Sequence, residues 1–567
     1  MQIFNFVIKL RFFATMRSSM KLQVDQIKKY LRGEKKMKLK KGLAVLITAV
    51  LCTSILAGCS GASAKTDVST KEELNYACTK DIRDINPHLY SGEMSAQNMV
   101  FEGLTKNEGG EVKPALAESW EISADGLEYT FHLRKGVTFT DGAAFNAAAV
   151  KMNMDAIVGN LERHAWLDMV NEIKENVVVD EHTFKLVLKH PYYPTLVELG
   201  LTRPFRFISP NCFVNGTTKE GVNGYVGTGP WVLSEHVDNQ YATFTQNETY
   251  WGEKTKIKTI NWKVMPDPQT ILLALQNGEV DLLFGADGDQ VDLDSYKKLE
   301  EEGAYKTYSS EPVASRAILI NSKAPITKDI KVREAIEYAV NKTNIIQGIL
   351  NGSEDQADTL LSKDVPYCNI ELKTITYNQE KTKQLLEEAG WKLGTDGVRE
   401  KDGQKCEITL SYNSKNAQEG TIATSIQADL AAVGIKMNIL GEEKQAFLDR
   451  QKTGDFDLQY SLSWGTPYDP QSYVSSWRIP AHGDYQAQAG LEKKQWLDET
   501  ITKIMTESDE TKRAAMYKEV LTYINDQFVY IPISYSKTKA VAITGLEGVT
   551  FNDSQYEIPF EKMYFSN

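Results

Sequence analysis

The most specific chemical signal in the sequence is a cysteine placed directly after a short apolar segment. Met37-Lys38-Leu39-Lys40-Lys41 is basic, residues 42–55 are apolar, and Leu56-Ala57-Gly58-Cys59 follows. This order is typical of a bacterial lipoprotein signal, in which the thiol of Cys59 carries a thioether-linked diacylglycerol. Two acyl chains give stable anchoring, whereas the apolar run falls short of the roughly 20 residues that span a bilayer. We therefore expect a lipid anchor on the outer face of the plasma membrane, as in Gram-positive bacteria.

Residues 1–36 fit no signal-peptide pattern. Arg32-Gly33-Glu34-Lys35-Lys36 resembles the in-frame translation of a purine-rich ribosome-binding site just ahead of Met37. We hypothesise that residues 1–36 are an extension from a misassigned start and that the signal peptide spans 37–58. Pyrimidine-rich codons before Met37 would contradict this. The lipidated cysteine and a small, polar tether then occupy residues 59–66.

The remaining cysteines do not form a catalytic or zinc-binding pattern. They are widely separated, without a CxxC pair, and are Cys78, Cys212, Cys368 and Cys406. Buried or free thiols are the expected state, with one or two disulfides left open. The sequence also lacks a Gly-x-Ser-x-Gly elbow, an HExxH helix and an activated-cysteine signature. We predict a protein that is not an enzyme and has no cofactor.

The histidines, taken one at a time, suggest little chemistry. Four of them occur in strand or turn contexts without apparent partners: His132, His182, His190 and His236. We interpret His88 and His164 as structural or as supporting a neighbouring site. A lone His such as His482 is also more often structural than a metal ligand.

Charge and length restrict the class of protein. The chain has 567 residues, which favours more than one domain. The net charge of −12 combines +10 over residues 1–58 with −22 over the rest. Such an acidic body disfavours nucleic acid and anionic lipid surfaces as partners and is compatible with a cationic cargo.

The periodicity of the sequence indicates a mixed α/β fold. Residues 129–133 and 182–188 alternate with period two, as half-buried strands do. Residues 332–340 and 381–389 have helical periodicity, and Gly390 follows the second as a C-cap. Ser123-Ala124-Asp125-Gly126 predicts a hairpin turn.

Several phrases along the chain resemble the peptide/nickel class of extracytoplasmic solute-binding proteins of ABC importers. These phrases are Pro114-Ala115-Leu116-Ala117-Glu118-Ser119-Trp120, Leu133-Arg134-Lys135-Gly136-Val137-Thr138-Phe139, Gly227-Thr228-Gly229-Pro230-Trp231, Asn247-Glu248-Thr249-Tyr250-Trp251-Gly252 and Val332-Arg333-Glu334-Ala335. The resemblance runs from about Leu74 to the C-terminus. It implies a two-lobed periplasmic-binding-protein fold of class II that closes on its ligand about a hinge. The large lobe would comprise residues 67–311 and 536–567, and the small lobe residues 312–535.

Three further segments resemble the nickel-binding branch of this class. They are Arg163-His164-Ala165-Trp166-Leu167, Thr202-Arg203-Pro204-Phe205-Arg206-Phe207, and Trp464-Gly465-Thr466-Pro467-Tyr468-Asp469-Pro470 with Arg478-Ile479-Pro480-Ala481-His482. Asn86-Pro87-His88-Leu89-Tyr90 and Met94 also resemble it, although the loop after Tyr90 is one residue shorter. The resemblance implies that His482 ligates the metal and that Arg163 and Arg203 hold chelator carboxylates. Trp166, Trp464, Tyr468, Tyr90 and Met94 would form the pocket wall.

The residue types are consistent with a chelated metal. Imidazole suits Ni²⁺, but one imidazole cannot complete its coordination, and no second His or Cys lies at ligand spacing from His482. Two arginines would repel a bare cation, whereas guanidinium binds carboxylates through bidentate hydrogen bonds. Free histidine or a citrate-like or opine-type metallophore would supply the missing ligands.

Three function classes remain open at this point. The first is capture of a nickel–chelator complex and its delivery to an ABC permease with its ATPase, by a binding protein that we expect to be a monomer. A cobalt complex or another metal–metallophore complex is a variant of this class. The second is capture of an oligopeptide or dipeptide, because the same class serves peptide importers. The third is a hydrolase. By default the two arginines would be surface residues and the aromatic residues packing residues, and their joint occurrence favours the first class.

Overall fold

The computed structural model describes residues 71–285 and 290–566, which form part of one compact unit, Thr70–Asn567. The predicted extension, signal peptide, Cys59 and tether lie outside the described residues. Within the described ranges, no helix is long and apolar enough to cross a membrane.

A large mixed sheet of eleven strands is the main element of the described chain. Its strands, in spatial order, are Trp231–Val237, Tyr241–Gln246, Thr259–Val264, Glu73–Cys78, Leu282–Gly285, Tyr530–Ile543, Tyr305–Ile320, Leu458–Leu462, Glu407–Asn413 and Lys436–Glu442, with Asp355–Gln356 paired to Tyr530–Ile543. The strand Glu73–Cys78 pairs in parallel with Thr259–Val264 and Leu282–Gly285. Parallel and antiparallel pairs therefore share one sheet, as the α/β prediction requires.

Smaller sheets complete the strand inventory of the described residues. A four-stranded antiparallel sheet has the order Ala117–Ile122, Glu128–Leu133, Thr183–Leu188, Ile173–Asp180. The shorter sheets pair Thr105–Glu108 with Glu111–Pro114, Phe213–Val214 with Thr217–Val222, Leu546–Glu547 with Tyr564–Phe565, and Lys392–Leu393 with Arg399–Lys401 and Gln404–Lys405.

Helices connect and cover the sheets. The α-helices are Met94–Val100, Ala147–Val158, Leu161–His164, Asp168–Glu172, Thr195–Leu199, Pro268–Gln276, Leu293–Glu302, Ile330–Ala339, Lys342–Asn344, Gln379–Glu388, Ala417–Ala431, Lys444–Thr453, Gln471–Ser476, Gly483–Gln488, Lys494–Thr506 and Glu510–Asp526. A π-helical turn, Ile345–Ile349, continues one of them, and 3₁₀ turns occur at Pro210–Cys212 and Phe560–Lys562.

The elements predicted from periodicity are confirmed, with small shifts at their ends. The strands Glu128–Leu133 and Thr183–Leu188 bury every second side chain. The helix Ile330–Ala339 begins after the N-cap Asp329, whose carboxylate accepts from Lys331 N. The helix Gln379–Glu388 ends before Gly390, whose φ of +89° explains why glycine occurs there.

Two long paired strands pass through the predicted lobe boundaries. Tyr305–Ile320 and Tyr530–Ile543 are antiparallel neighbours, and Pro312 pairs with Lys537 where the register shifts. The boundaries 311/312 and 535/536 therefore lie side by side in space. The division into lobes at those residues stays a prediction.

Each sheet region has its own hydrophobic core. Tyr76, Trp231, Trp262 and Phe560 belong to one buried cluster. Another contains Ile318, Ile336, Ile408 and Leu430. A third joins the four-stranded sheet to the helices that follow residue 468, through residues such as Phe131, Phe184, Tyr473 and Trp477. Trp166 and Trp464, two of the predicted pocket residues from distant parts of the chain, both pack against this third core.

Candidate functional site

Tyr90 lies at the centre of a hydrogen-bonded group formed by its loop and a distant short helix. Trp166 Nε1 donates to Tyr90 Oη at 2.8 Å, and Tyr90 Oη lies 2.8 Å from His164 Nδ1. Because indole can only donate, the tyrosine hydroxyl donates its own proton to His164. Burial is the main cause, and the positive charge of neighbouring Arg163 the second, that lowers the pKa of His164 to about 4. His164 is therefore neutral, which makes Nδ1 an acceptor and orients the Tyr90 ring.

Two arginines flank the ring of Tyr90. The guanidinium carbon of Arg163 is 5.1 Å from the ring centroid and that of Arg203 is 5.8 Å away. These separations are within the range of cation–π contacts. Arg163 is exposed, whereas burial lowers the pKa of Arg203. The site therefore contains two positive charges within reach of one aromatic face.

Bonds to one helix and to the Tyr90 loop hold Arg203 in place. Its Nε donates to Gln97 Oε1 at 2.6 Å, and its terminal nitrogens donate to the carbonyl oxygens of Tyr90 and Gly92. Gln97 is fully buried and donates to Asn86 O at 2.9 Å. Since guanidinium has five N–H donors, the fork retains donors for a ligand.

The turn Gly227-Thr228-Gly229-Pro230 fixes the helix that carries Gln97. A Cβ atom at Gly227 would collide with the carbonyl oxygen of Val100, and one at Gly229 would lie 2.6 Å from Met99 O. Only glycine permits this close approach to the end of the helix Met94–Val100. The turn then leads into the strand Trp231–Val237.

Trp464 connects the Tyr90 group to the residues near 468 and 482. Its ring centroid lies 5.5 Å from that of Trp166, 6.3 Å from that of Tyr468 and 5.8 Å from that of His482. Trp464 follows the strand Leu458–Leu462, so the large sheet positions it. The pairs of Trp464 with Trp166 and Tyr468 are edge-on, a favourable arrangement for aromatic rings, and the pair with His482 is tilted.

His482 precedes the helix Gly483–Gln488 and is partly buried. Burial lowers the pKa of its imidazole, and nearby Asp484 only partly opposes this effect. Oδ1 of Asp484 accepts hydrogen bonds from Tyr473 and Tyr530, at 2.8 Å and 2.9 Å. The imidazole is therefore neutral near pH 7, which is the form that binds a metal.

A cavity of 310 Å³ adjoins His482 and Trp464. Its other lining residues include Phe447, Gln451 and Asp484. A second cavity, of 680 Å³, is lined by Tyr468 and Arg206, but its lining includes none of the other predicted site residues. Of the two, the smaller cavity is the one next to the imidazole.

The structure brings seven of the eight predicted pocket residues into one continuous set of contacts: Tyr90, Arg163, Trp166, Arg203, Trp464, Tyr468 and His482. Met94 begins the neighbouring helix and is partly buried, but it is not one of the residues that these ring and cation contacts join. The predicted roles of all eight as ligand-binding residues stay predictions.

Sequence reasoning missed two residues that position this set, Gln97 and Tyr556. Gln97 orients Arg203. His164, which the sequence indicated as structural or as supporting a neighbouring site, bonds to Tyr90. Tyr556 packs 6.3 Å from the ring of Tyr468, while its carbonyl accepts from Ser95. No local pattern marks Gln97 or Tyr556, because both act through contacts with distant segments.

The four described cysteines, Cys78, Cys212, Cys368 and Cys406, are all free and buried. Burial raises the pKa of each thiol, to about 12 for Cys406. They are therefore weak nucleophiles and packing residues, as the sequence suggested.

Comparison with known proteins gives matches over most of the chain. Residues 111–485 match the bacterial extracellular solute-binding proteins, family 5 Middle. The nickel-binding periplasmic protein of Escherichia coli K12 is 41% identical over 496 residues, which cover 87% of this chain and 94% of that protein. The dipeptide-binding protein of the same organism is 28% identical over 461 residues, which cover 75% and 81%.

A solved structure agrees with the fold. The crystal structure of NikA from Brucella suis in complex with Fe(III)-EDTA is 43% identical to this chain and has a TM-score of 0.86. The similarity covers 87% of this chain and all of that chain.

Proposed function

This chain belongs to family 5 of the bacterial extracellular solute-binding proteins, and on that basis we propose that it captures Ni²⁺ as a complex with a small carboxylate or amino-acid chelator. It delivers the complex to the permease of an ABC importer. The observation that carries the proposal is the convergence of His482, Arg163 and Arg203 on one group of contacting aromatic rings.

His482 supplies one ligand to the metal. Its imidazole is neutral and adjoins a cavity, so a nitrogen lone pair is available to a cation. Within the described residues, the converging groups of three or more His, Cys, Asp or Glu side chains do not include His482. A cargo that brings its own donor atoms would complete the coordination of Ni²⁺.

Arg163 and Arg203 recognise the organic part of the cargo. Two guanidinium groups oppose a bare divalent cation, but they favour a chelator with carboxylates. The bonds from Arg203 to Gln97 and the Tyr90 loop hold its fork before the ligand arrives, which reduces the entropy lost on binding. Exposed Arg163, whose guanidinium carbon lies 5.1 Å from the centroid of the Tyr90 ring, is free to close over the ligand.

The aromatic rings provide the surface for the chelator. Trp166 and Trp464 contact each other, while Tyr90 and Tyr468 extend the group at its two ends. Rings of this kind bury the apolar part of a small ligand and exclude water from the charged contacts. Because the rings come from segments roughly 300 residues apart, ligand contacts across them favour closure of the protein.

Two of the relatives support the metal rather than the peptide alternative. One is named a nickel-binding periplasmic protein, and the other was crystallised with Fe(III)-EDTA, a carboxylate chelate of a metal. The relatives are solute-binding proteins, and we infer that this chain likewise acts without catalysis. The lipid anchor on Cys59, the monomeric state and the position on the outer face of the plasma membrane belong to the same proposal.

Isothermal titration calorimetry of the full-length chain, purified in detergent without a histidine tag, tests the proposal. The titrants are Ni²⁺, L-histidine, premixed nickel–histidine, premixed nickel–citrate and a short-peptide mixture. We expect tight binding only with a premixed chelate. Binding heat from the peptides, with none from any form of nickel, would refute the proposal and favour the peptide alternative. The 28% identical dipeptide-binding relative is the observation that supports this alternative. Premixed cobalt chelates distinguish the metal.

The variant His482→Ala tests the ligand assignment. Metal retention should fall more than binding of the chelator, because the arginines and rings remain. The matched control is His190→Gln, since His190 is an exposed histidine paired with Glu172. Equal losses of metal and chelator binding in His482→Ala would contradict a ligand role for this residue.

A further inference from the structure

A second cluster of potential metal ligands lies outside the candidate site, at the hairpin between the strands Trp231–Val237 and Tyr241–Gln246. His236 Nε2 is 2.9 Å from Asp81 Oδ1, and His236 Nδ1 is 3.8 Å from Asp238 Oδ1. The sequence interpretation that left His236 without a partner is therefore wrong, and it is also wrong for His132 and His190, which pair with Glu121 and Glu172. Asp81 lies beyond the end of the strand Glu73–Cys78, so its proximity arises from tertiary structure.

Asp81 holds the imidazole of His236 in one orientation. Its side chain is 6% exposed. Asp81 also accepts hydrogen bonds from the backbone N–H groups of Asn239 and Arg83. A carboxylate can only accept, so His236 donates through Nε2–H. In the neutral ring, Nδ1 then carries a lone pair directed toward the side of Asp238.

The distance on that side fits a shared cation better than a hydrogen bond. At 3.8 Å, Nδ1 and the Asp238 oxygen are beyond the range of an N–H···O bond, roughly 2.7–3.2 Å. Two atoms bonded to one metal ion at about 2.0–2.2 Å stand roughly 3–4 Å apart. The side chain of Asp238 is 89% exposed and can rotate to complete the geometry.

We propose that Asp81, His236 and Asp238 form a binding site for a bare divalent transition-metal ion, separate from the chelate site. His236 Nδ1 and the Asp238 carboxylate are the ligands, and water fills the other positions. Asp81 does not bind the ion but accepts the second N–H of His236. Metal-bound histidines commonly donate this N–H to a carboxylate, which fixes the ring and raises its basicity.

The donor set selects the class of ion. One imidazole nitrogen and one carboxylate suit Ni²⁺, Zn²⁺, Co²⁺ or Cu²⁺ better than Mg²⁺ or Ca²⁺, which prefer oxygen ligands alone. Unlike the proposed chelate site, with its two arginines, this surface therefore accepts an ion that has no organic chelator.

Equilibrium dialysis of the full-length chain against NiCl₂ or ZnCl₂, in a non-chelating buffer, tests this site. Wild type should bind one equivalent that Asp238→Asn and His236→Gln lose. Asp81→Asn should weaken it about 10–100-fold, the usual effect of removing a carboxylate behind a metal-bound histidine. His190→Gln and His482→Ala serve as controls and should retain it.

Asp238→Asn keeps the test independent of folding, because this exposed side chain contributes little to packing. Unchanged binding in Asp238→Asn and His236→Gln, or loss of the equivalent in His190→Gln as well, would overturn the proposal. Failure of the proposed chelate site would be distinguishable, because premixed nickel–histidine would then give no binding heat while the chain still bound one equivalent of the bare metal ion.

Discussion

Removing the hydroxyl of Tyr90 tests whether the hydrogen bonds at the candidate site are coupled. In Tyr90→Phe, Trp166 Nε1 and His164 Nδ1 both lose their 2.8 Å partner. Trp166 is partly exposed and recovers a bond to water, whereas His164 is fully buried and cannot. An unsatisfied buried polar group costs about 1–3 kcal/mol, so we expect a loss of about 2 kcal/mol in the free energy of unfolding.

The same reasoning predicts a strong coupling with His164. In the double variant Tyr90→Phe/His164→Leu the buried acceptor is absent, so the double loss should be smaller than the sum of the single losses by about 1–2 kcal/mol. Urea unfolding followed by tryptophan fluorescence measures these differences. Tyr241→Phe is the matched control, because its hydroxyl donates to Glu235 in an exposed bond at 2.7 Å, and it should cost under about 0.5 kcal/mol. Additive single losses would refute the coupled network.

The remaining predictions concern charge at the site and in the core. Because burial lowers the pKa of His482, the affinity for nickel–histidine should hold from pH 7.5 to 6.5 and fall only below that range. Calorimetry at each pH checks this. An equal fall in affinity in His482→Ala would show that the chelator, not His482, takes up the proton. Arg163→Gln should weaken chelate binding about 10–100-fold without changing the urea midpoint, since a charge-assisted bond is worth about 1.5–3 kcal/mol and Arg163 is exposed. Arg203→Gln should weaken binding and lower the midpoint too, because it also breaks the bond to Gln97; an unchanged midpoint would contradict the positioning argument. Burial raises the pKa of Glu198 to about 8, so the folded state holds a proton that the unfolded state releases near pH 4.5, and the stability contributed by this group falls as pH rises between these values. The stability of Glu198→Gln relative to wild type should therefore be greater at pH 9 than at pH 5. Urea unfolding of both proteins at the two pH values measures this difference.

Much of the local structure followed from the sequence alone. Alternation over residues 129–133 and 182–188 predicts strands because a half-buried strand has a side-chain period of two. The helix before Gly390 was equally predictable, since its C-cap needs a residue that tolerates positive φ. The family and the candidate pocket residues followed from resemblance, because the matching phrases extend over nearly the whole chain.

Only the tertiary structure decided which side chains support the site. Gln97 reaches Arg203 across 106 residues, Ser95 bonds to Tyr556 across 461, and Asp81 meets His236 across 155. Such pairs leave no periodic trace in the sequence, because hydrogen bonding between distant segments depends on how the sheets and cores pack rather than on neighbouring residues. The sequence by itself therefore determined the class of protein and its candidate binding residues, whereas packing determined their orientation, their protonation and the second cluster at His236.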